Sequence, residues 1–317
     1  MRHKIGYACI NTSIDATTNR TCKLNNCTEE RLRELITSNL NGLKEIINWN
    51  IKHNIYLYRM SSAIIPFASH PINAIQWWED YKDKFDEIGN LIKKSKSRVS
   101  MHPGQFVNIN SPNPDVVQAS IKELQWHTRL LEALELDQTH RLILHTGGVY
   151  GNKPDAIDRF IKVCNDLPVN IRKRLSLEND DKSYTVWDVL NISQRTAIPV
   201  VFDILHHKIN NTGETRDNDM EYILKSCFAT WNSSTGIPKI HFSTQKKDAK
   251  RGSHAEAINM NDFVEFYNKF KHLDFDIMFE TKDKEKSVLN AFKTLAQTLG
   301  ENGIRNDYNK IRNNKVK

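Results

Sequence analysis

The sequence predicts a single α/β domain, a (β/α)₈ TIM barrel with its functional site at the carboxyl-terminal face of the strands. Eight short apolar runs alternate with longer amphipathic segments, which is the pattern of repeated parallel βαβ units. A barrel of this kind takes about 250 residues, and the chain has 317. No G-x-G-x-x-G or Walker sequence follows the first run, where an open nucleotide-binding sheet would carry its phosphate-binding loop. We therefore expect one closed barrel over residues 1–300.

The strands are predicted from short runs of β-branched and other apolar residues. In chain order they are Lys4–Ile10, Ile55–Met60, Arg98–Met101, Arg141–Leu144, Arg174–Leu177, Ile198–Phe202, Pro238–Phe242 and Asp276–Phe279. The helices are predicted from apolar residues that recur with helical spacing and so share one face. These are Glu29–Lys52, Asn73–Lys94, Val116–Leu136, Pro154–Asp166, Thr185–Gln194, Asn218–Ala229, Asn261–Lys271 and Glu285–Leu299. The polar, Asn- and Lys-rich segment 301–317 is predicted to be a disordered tail.

Charge and composition narrow the class of protein. The formal net charge is +7 and the pI is about 9.0, and a cationic protein attracts polyanions such as DNA. Five cysteines at irregular spacings argue against a disulfide framework and for a reducing compartment. No apolar run approaches the ~20 residues of a membrane span, and the amino terminus lacks a signal-peptide pattern. We expect a cytoplasmic protein without a membrane partner.

Polar residues with catalytic or metal-binding chemistry end most of the predicted strands. The third to eighth runs end in, or are followed by, His102, His145, Glu178, Asp203, His241 and Glu280. Catalytic groups of TIM barrels come from these strand ends, so the side chains should converge on one face. A charged group that ends a buried strand is costly unless it is paired or bound to metal. A hydrogen-bonded rim position would explain any one of them, but six strands with the same feature favour a site.

The number of candidate ligands exceeds the needs of a single metal ion. Three further histidines, His70, His206 and His254, lie in loops just beyond the strand ends. Histidine and carboxylate without cysteine suit Mn²⁺, Zn²⁺ or similar hydrolytic ions. Two or three ions that share bridging carboxylates would account for the count, and such clusters activate water and clamp a phosphoryl group.

Lys239 is a further candidate because strand alternation places it on the same face as His241. A lysine in that position either contacts a phosphate or, with its pKa depressed by neighbouring metal charge, is carboxylated and serves as an anionic ligand. Both alternatives make Lys239 part of the site.

Several motifs together resemble the UV damage endonuclease family. They run in order through the chain and are Tyr58-Arg-Met-Ser-Ser62, Phe67-Ala-Ser-His70, His102-Pro-Gly-Gln-Phe106, His145-Thr-Gly-Gly148, Glu178-Asn-Asp-Asp181, Phe202-Asp-Ile-Leu-His206 and Lys239-Ile-His241. That family is similar in fold and metal centre to the endonuclease IV type of abasic-site nuclease. The resemblance implies cleavage of DNA immediately 5′ of UV photoproducts, leaving a 3′-hydroxyl and a 5′-phosphate. It also implies up to three divalent ions, commonly Mn²⁺, with Zn²⁺, Co²⁺ and Mg²⁺ as alternatives.

The same resemblance implies roles for individual residues. One ion would be held by His102, His145 and Glu178, a second by Glu178, Asp203, His241 and Glu280, and a third would lie about Asp203, His206 and His254. The expected catalytic residues are Glu178, Lys239 and His70, the last through either a metal or a phosphate. Gln105 and Phe106 would probe the lesion, although the family often has Tyr at the second position, so here the hydroxyl is lost. Tyr7 and Asn11 would lie near the damaged nucleotides or the scissile phosphate.

A sugar isomerase or epimerase of the xylose-isomerase-like kind is the main alternative. It shares the barrel and a Glu/Asp/His/Glu metal site but acts on a small free sugar. The additional histidines and the basic loop from Lys246 to Arg251 favour a polyanionic substrate, and we expect Lys246 and Lys247 to contact DNA phosphates. A DNA-binding protein without catalysis would not need so many metal ligands. The expected partner is double-stranded DNA with UV photoproducts, on which the protein acts as a monomer.

Overall fold

A computed structural model describes residues 3–299 of the chain. Eight parallel strands close into a barrel in sequence order, with the last strand paired to the first. The strands are β1 (Ile5–Ala8), β2 (Leu57–Met60), β3 (Arg98–Met101), β4 (Arg141–His145), β5 (Leu175–Glu178), β6 (Val200–Asp203), β7 (Lys239–Phe242) and β8 (Asp276–Phe279). The predicted TIM barrel is confirmed. The predicted tail, 301–317, lies outside the described residues.

The helices surround the barrel and follow the strands along the chain. Those in residues 3–299 are α1 (Glu29–Lys52), α2 (Trp77–Asp80), α3 (Lys82–Ser95), α4 (Pro114–Ala133), α5 (Lys153–Asp166), α6 (Val169–Arg172), α7 (Val186–Thr196), α8 (Ile204–Ile209), α9 (Met220–Phe228), α10 (Met260–Phe270) and α11 (Glu285–Leu299). The single helix predicted over Asn73–Lys94 is wrong. It is two helices, because Tyr81 leaves the helical conformation at φ −113° and ψ 24°.

Side-chain caps fix where several helices begin. The side chain of Thr28 accepts a hydrogen bond from the backbone N–H of Arg31 at the start of α1. Thr185 and Asp188 form a reciprocal capping box at the start of α7. Asp203 caps α8 by accepting from the backbone N–H of His206. Each cap satisfies a backbone donor that has no partner within its helix, and the last one positions a candidate ligand.

The main hydrophobic core lies between the strands and the helices. In β1, the Tyr7 hydroxyl donates to Asn50 of α1 at 2.7 Å, so this side chain faces the helices. The neighbouring Ala8 packs instead with Leu57 and Met278 in a small separate cluster. Because side chains alternate along a strand, one face of β1 supports the core and the other faces the barrel interior.

The interior also contains buried charges below the carboxyl-terminal face. Arg98 donates to Asp276 at 2.9 Å, and Lys239 lies opposite Asp276 in the β7–β8 register. Arg141 is nearly fully buried and donates to Ser176 at 2.7 Å. This layer is therefore predominantly cationic, and it lies beneath the strand ends that carry the candidate ligands.

Two further features of the described residues bear on the sequence-based expectations. No helix within residues 3–299 combines the length and the apolar character that crossing a membrane requires. The five cysteines are free thiols, in agreement with the expectation that they form no disulfide framework.

Candidate metal centre

Glu178 lies at the centre of the site, at the end of β5, with 1% of its surface exposed. Its Oε2 accepts from His102 Nε2 at 2.9 Å and lies 3.7 Å from His145 Nε2. Its Oε1 accepts from His241 Nδ1 at 2.7 Å. The two carboxylate oxygens therefore face different histidines, as a bridging ligand requires.

The structure brings the inner candidate ligands into two groups that share Glu178. The first group is His102, His145 and Glu178, and the second is Glu178, Asp203, His241 and Glu280. Within each group the ligand atoms lie within 4.8 Å of one another. These are the same two sets that the family resemblance implies for the first two ions.

His206 and His254 lie beside these groups but are not members of either. His206 Nδ1 is 3.7 Å from Glu178 Oε1 and 3.8 Å from Asp203 Oδ2. His254 Nδ1 is 3.8 Å from Glu280 Oε2, and an antiparallel bridge between Gln245 and His254 closes the basic loop at that point. Both histidines therefore lie at the edge of the two ligand groups.

Burial and the neighbouring charges set the protonation states of the site. Burial opposes ionisation of Glu178, but the neighbouring His241 and the hydrogen bonds from His102 and His241 hold its pKa well below the usual range. Burial lowers the pKa of His145 to about 4 and raises that of Asp203 to about 6. For His206, burial lowers the pKa, but the carboxylates of Asp203 and Glu178 outweigh it and raise the value to about 9. Ionised Glu178 and neutral His145 are the forms that bind a cation.

The chemistry of the donor set fits divalent ions. Asp203 Oδ2 and His241 Nε2 are buried without a hydrogen-bond partner among the described residues. Buried polar atoms are normally paired, so an unpaired carboxylate oxygen aimed into a group of ligands indicates a cation site. Carboxylate and imidazole without thiolate suit Mn²⁺, Zn²⁺ and similar ions.

Two supporting residues were not singled out from the sequence. Arg59 of β2 donates to Glu280 Oε1 and is part-buried beneath the site. Asn179 follows Glu178 and hydrogen-bonds the backbone of Asp203. Both lie inside motifs that carried the family resemblance, and strand alternation was the available signal for Arg59.

Tyr7 and Asn11, which the family resemblance would place near the damaged nucleotides or the scissile phosphate, are buried in the described structure. Tyr7 is 0% exposed and Asn11 is 2% exposed. The Asn11 amide donates to the Tyr7 hydroxyl at 2.9 Å, and its oxygen accepts from the Ser13 N–H at 2.9 Å. These two residues therefore support the loop after β1 from within.

Gln105 and Phe106 lie exposed on the loop after β3, and Phe106 has 67% of its surface accessible. The phenyl ring lies over Gly104, where a Cβ atom would collide with it. A cavity of about 140 Å³ lies beside this loop and is lined by Gln105, His145 and Lys182, among others. Gln105 thus shares a cavity with the candidate metal ligand His145.

The remaining predicted site residues lie in different environments. His70 is exposed and accepts from the backbone N–H of Ile72, and it belongs to neither ligand group. Lys239 is 1% exposed and lies inside the barrel. Lys246 lies 3.5 Å from Glu256, and Lys247 is exposed.

Comparisons with known proteins identify the family of the chain. The model of the family UV-endonuclease UvdE matches residues 3–307. The UV DNA damage endonuclease of Clostridium perfringens is 41% identical over 312 residues, which cover 96% of this chain and 74% of that protein.

Among solved structures, some resemble the chain in both sequence and fold, and others in fold alone. The crystal structure of SacUVDE has a TM-score of 0.87 at 40% identity and covers 93% of this chain and 99% of its own. A 3-keto-D-glucoside 4-epimerase from E. coli has a TM-score of 0.54 at 9% identity, covering 93% of this chain and 99% of its own. The epimerase likeness shows the fold alone. The family resemblance of the motifs is confirmed, and the chain belongs to the UV-endonuclease UvdE family.

Proposed function

We propose that the chain is a DNA repair endonuclease that hydrolyses the phosphodiester immediately 5′ of UV photoproducts, and that it leaves a 3′-hydroxyl and a 5′-phosphate. The observation that carries the proposal is Glu178, a buried carboxylate that belongs to both ligand groups. The proposed partner is double-stranded DNA, on which the protein acts as a monomer in the cytoplasm. Family membership supports the substrate class, and the ligand groups support the chemistry.

Two or three divalent ions are the proposed cofactors, with Mn²⁺ expected. The inner ions would be held by the two groups that share Glu178, and the outer ion by Asp203, His206 and His254. Bound there, such ions supply Lewis acidity that activates water and stabilises charge on the phosphoryl and leaving oxygens. His70 is exposed and is proposed to contact the phosphate rather than an inner ion.

The chain's own residues prepare the site for this chemistry. Glu178 is held ionised, and each of its oxygens already accepts a hydrogen bond from a different histidine. Arg59 holds Glu280 by a part-buried ion pair, so this carboxylate is fixed in place. Preorganised ligands lower the cost of arranging charge at the reacting phosphate.

Lys239 is proposed to act in its carboxylated form. Burial and then the nearby Arg98 hold its pKa well below the usual range, and the neutral amine is the form that combines with carbon dioxide. The carboxylate of Asp276 favours the charged amine but does not outweigh burial. If Lys239 is carboxylated, its new carboxylate would accept hydrogen bonds from Arg59 Nε and Arg98 Nη2. Both of these nitrogens are buried and have no hydrogen-bond partner among the described residues.

The loop after β3 is proposed to distinguish damaged from normal DNA. A photodimer stacks and pairs poorly, so it costs less to displace from the helix. Phe106 offers an exposed stacking face, and Gln105 offers hydrogen-bonding groups beside it. The basic loop, through Lys246 and Lys247, would contact phosphates without regard to damage.

A substrate panel tests the proposal. Purified protein with Mn²⁺ is offered an end-labelled duplex with one photoproduct, the matched undamaged duplex and a set of free ketoses and aldoses. We expect a single cut immediately 5′ of the photoproduct, little cleavage of the undamaged duplex and no change in any sugar. Epimerisation of a sugar without DNA cleavage would favour the alternative class.

A further inference from the structure

Asn179 connects the ends of two strands that carry candidate metal ligands. It is 0% exposed and directly follows Glu178. Its Nδ2 donates to the Asp203 carbonyl at 3.0 Å, and its Oδ1 accepts from the Asp203 N–H at 2.9 Å. The last backbone partners of β5 and β6 are Glu178 and Val201. The Asn179 side chain therefore continues the pairing beyond the ladder and clamps both backbone groups of Asp203.

This clamp complements the helix cap made by Asp203. Asp203 Oδ1 accepts from the His206 N–H at 2.8 Å, while Oδ2 is buried without a partner among the described residues. With its backbone clamped and one oxygen engaged, the carboxylate has one free oxygen in a fixed position. Residues that do not bind the metal but orient a ligand by hydrogen bonds strengthen metal binding at that site.

The backbone carbonyl of Asn179 also determines which nitrogen of His206 can bind a metal. His206 Nδ1 lies 2.9 Å from that carbonyl oxygen. A carbonyl only accepts hydrogen bonds, so Nδ1 carries the proton and Nε2 is the nitrogen that can ligate. Nδ1 is also the nitrogen nearest Glu178 and Asp203. His206 is thereby kept out of the inner groups and directed to an outer ion.

We propose that Asn179 is a positioning residue for the outer metal site. It touches no ion itself. Its side chain fixes Asp203, its carbonyl selects the Nε2-binding form of His206, and the two effects together preform the site before metal binds. This inference rests on the proposed function, because it assumes that these ligands hold divalent ions.

Two matched variants test the proposed role of the Asn179 side chain. Asn179→Ala removes the clamp but keeps the carbonyl. Asn39→Ala is the control, because Asn39 is also 0% exposed and makes the same reciprocal pair with the backbone of Arg20, at 2.9 and 3.0 Å. Mn²⁺ binding to the metal-stripped full chain is measured by calorimetry, with thermal unfolding alongside.

We expect Asn179→Ala to weaken at least one Mn²⁺ site by a factor of about 10 to 100, the usual range for such outer partners. Asn39→Ala should lower thermal stability without changing the isotherm. Binding by Asn179→Ala that stays within about twofold of wild type, or an equal loss in both variants, would overturn the inference. A wild-type chain that takes up no divalent ion would refute the proposed function instead.

The second test uses the wild-type protein, so it does not depend on whether a variant folds. The histidine nitrogens of Zn²⁺-loaded protein are observed by ¹⁵N NMR, and the His206 signals are assigned by their loss in His206→Gln. We expect a protonated Nδ1 and a metal-bound Nε2. A metal-bound Nδ1 would overturn the role of the Asn179 carbonyl.

Discussion

Replacing Glu178 by glutamine should abolish most metal binding and incision together. The amide keeps the volume of the side chain but has no charge and only one oxygen, whereas both carboxylate oxygens are engaged, with His102 at 2.9 Å and His241 at 2.7 Å. Removing a residue that only orients a metal ligand typically lowers metal affinity by a factor of 10 to 100. Glu178 belongs to both ligand groups, so we expect a loss of at least 100-fold, or about 2.7 kcal/mol, for at least one ion.

Metal content, a Mn²⁺ binding isotherm and the incision rate on a photoproduct duplex are measured on the same preparation. His127→Asn is the control, since His127 is buried in α4 and is in neither ligand group. Its specific activity per folded chain should stay close to wild type. Turnover by Glu178→Gln at the wild-type rate would refute the assignment of Glu178 as the shared ligand.

Further predictions concern lesion recognition, the buried lysine and pH. The double change Gln105→Ala and Phe106→Ala should weaken binding to damaged duplex by roughly 1–3 kcal/mol and undamaged duplex much less, and an unchanged preference would place recognition elsewhere. Lys247→Ala should weaken both duplexes alike and reduce the salt slope by about 1; a lesion-selective loss would contradict a phosphate contact. Protein grown with ¹³C-bicarbonate should show a carbamate carbon by NMR that Lys239→Met lacks, and identical spectra would exclude carboxylation. Burial lowers the pKa of His127 from 6.5 to about 3, so only the unfolded chain takes up this proton between those values. His127 therefore makes the free energy of unfolding fall as pH drops below 6.5, by up to about 1.4 kcal/mol per pH unit, and parallel stability curves for wild type and His127→Asn would contradict this.

Local sequence patterns were sufficient to predict the barrel and most of the inner candidate ligands. An apolar run that ends in a single polar residue, such as Glu178 in β5 or Asp203 in β6, identifies both the strand and the end that faces the site. Parallel pairing then brings such residues together without further information. This is why these residues could be predicted to converge before any distance was known, whereas their division into two ligand groups was implied by the family resemblance.

Contacts between distant segments explain what local patterns missed. The sequence of β1, Ile-Gly-Tyr-Ala, has no polar alternation that would indicate that Tyr7 faces α1. The depth of Lys239 depends on its register with Asp276, which the sequence of β7 alone does not contain. The role of Asn179 depends on its contacts with Asp203 and His206, residues that are close only in the folded chain.

Incision by metal-stripped protein tests the central claim most directly. The protein is treated with chelator, freed of it, and given an end-labelled duplex with one photoproduct, first without metal and then across a Mn²⁺ titration. The account predicts no cutting without metal. The single cut 5′ of the lesion should return as the two ligand groups that share Glu178 bind Mn²⁺. Full incision by protein shown to contain no divalent ion would contradict it.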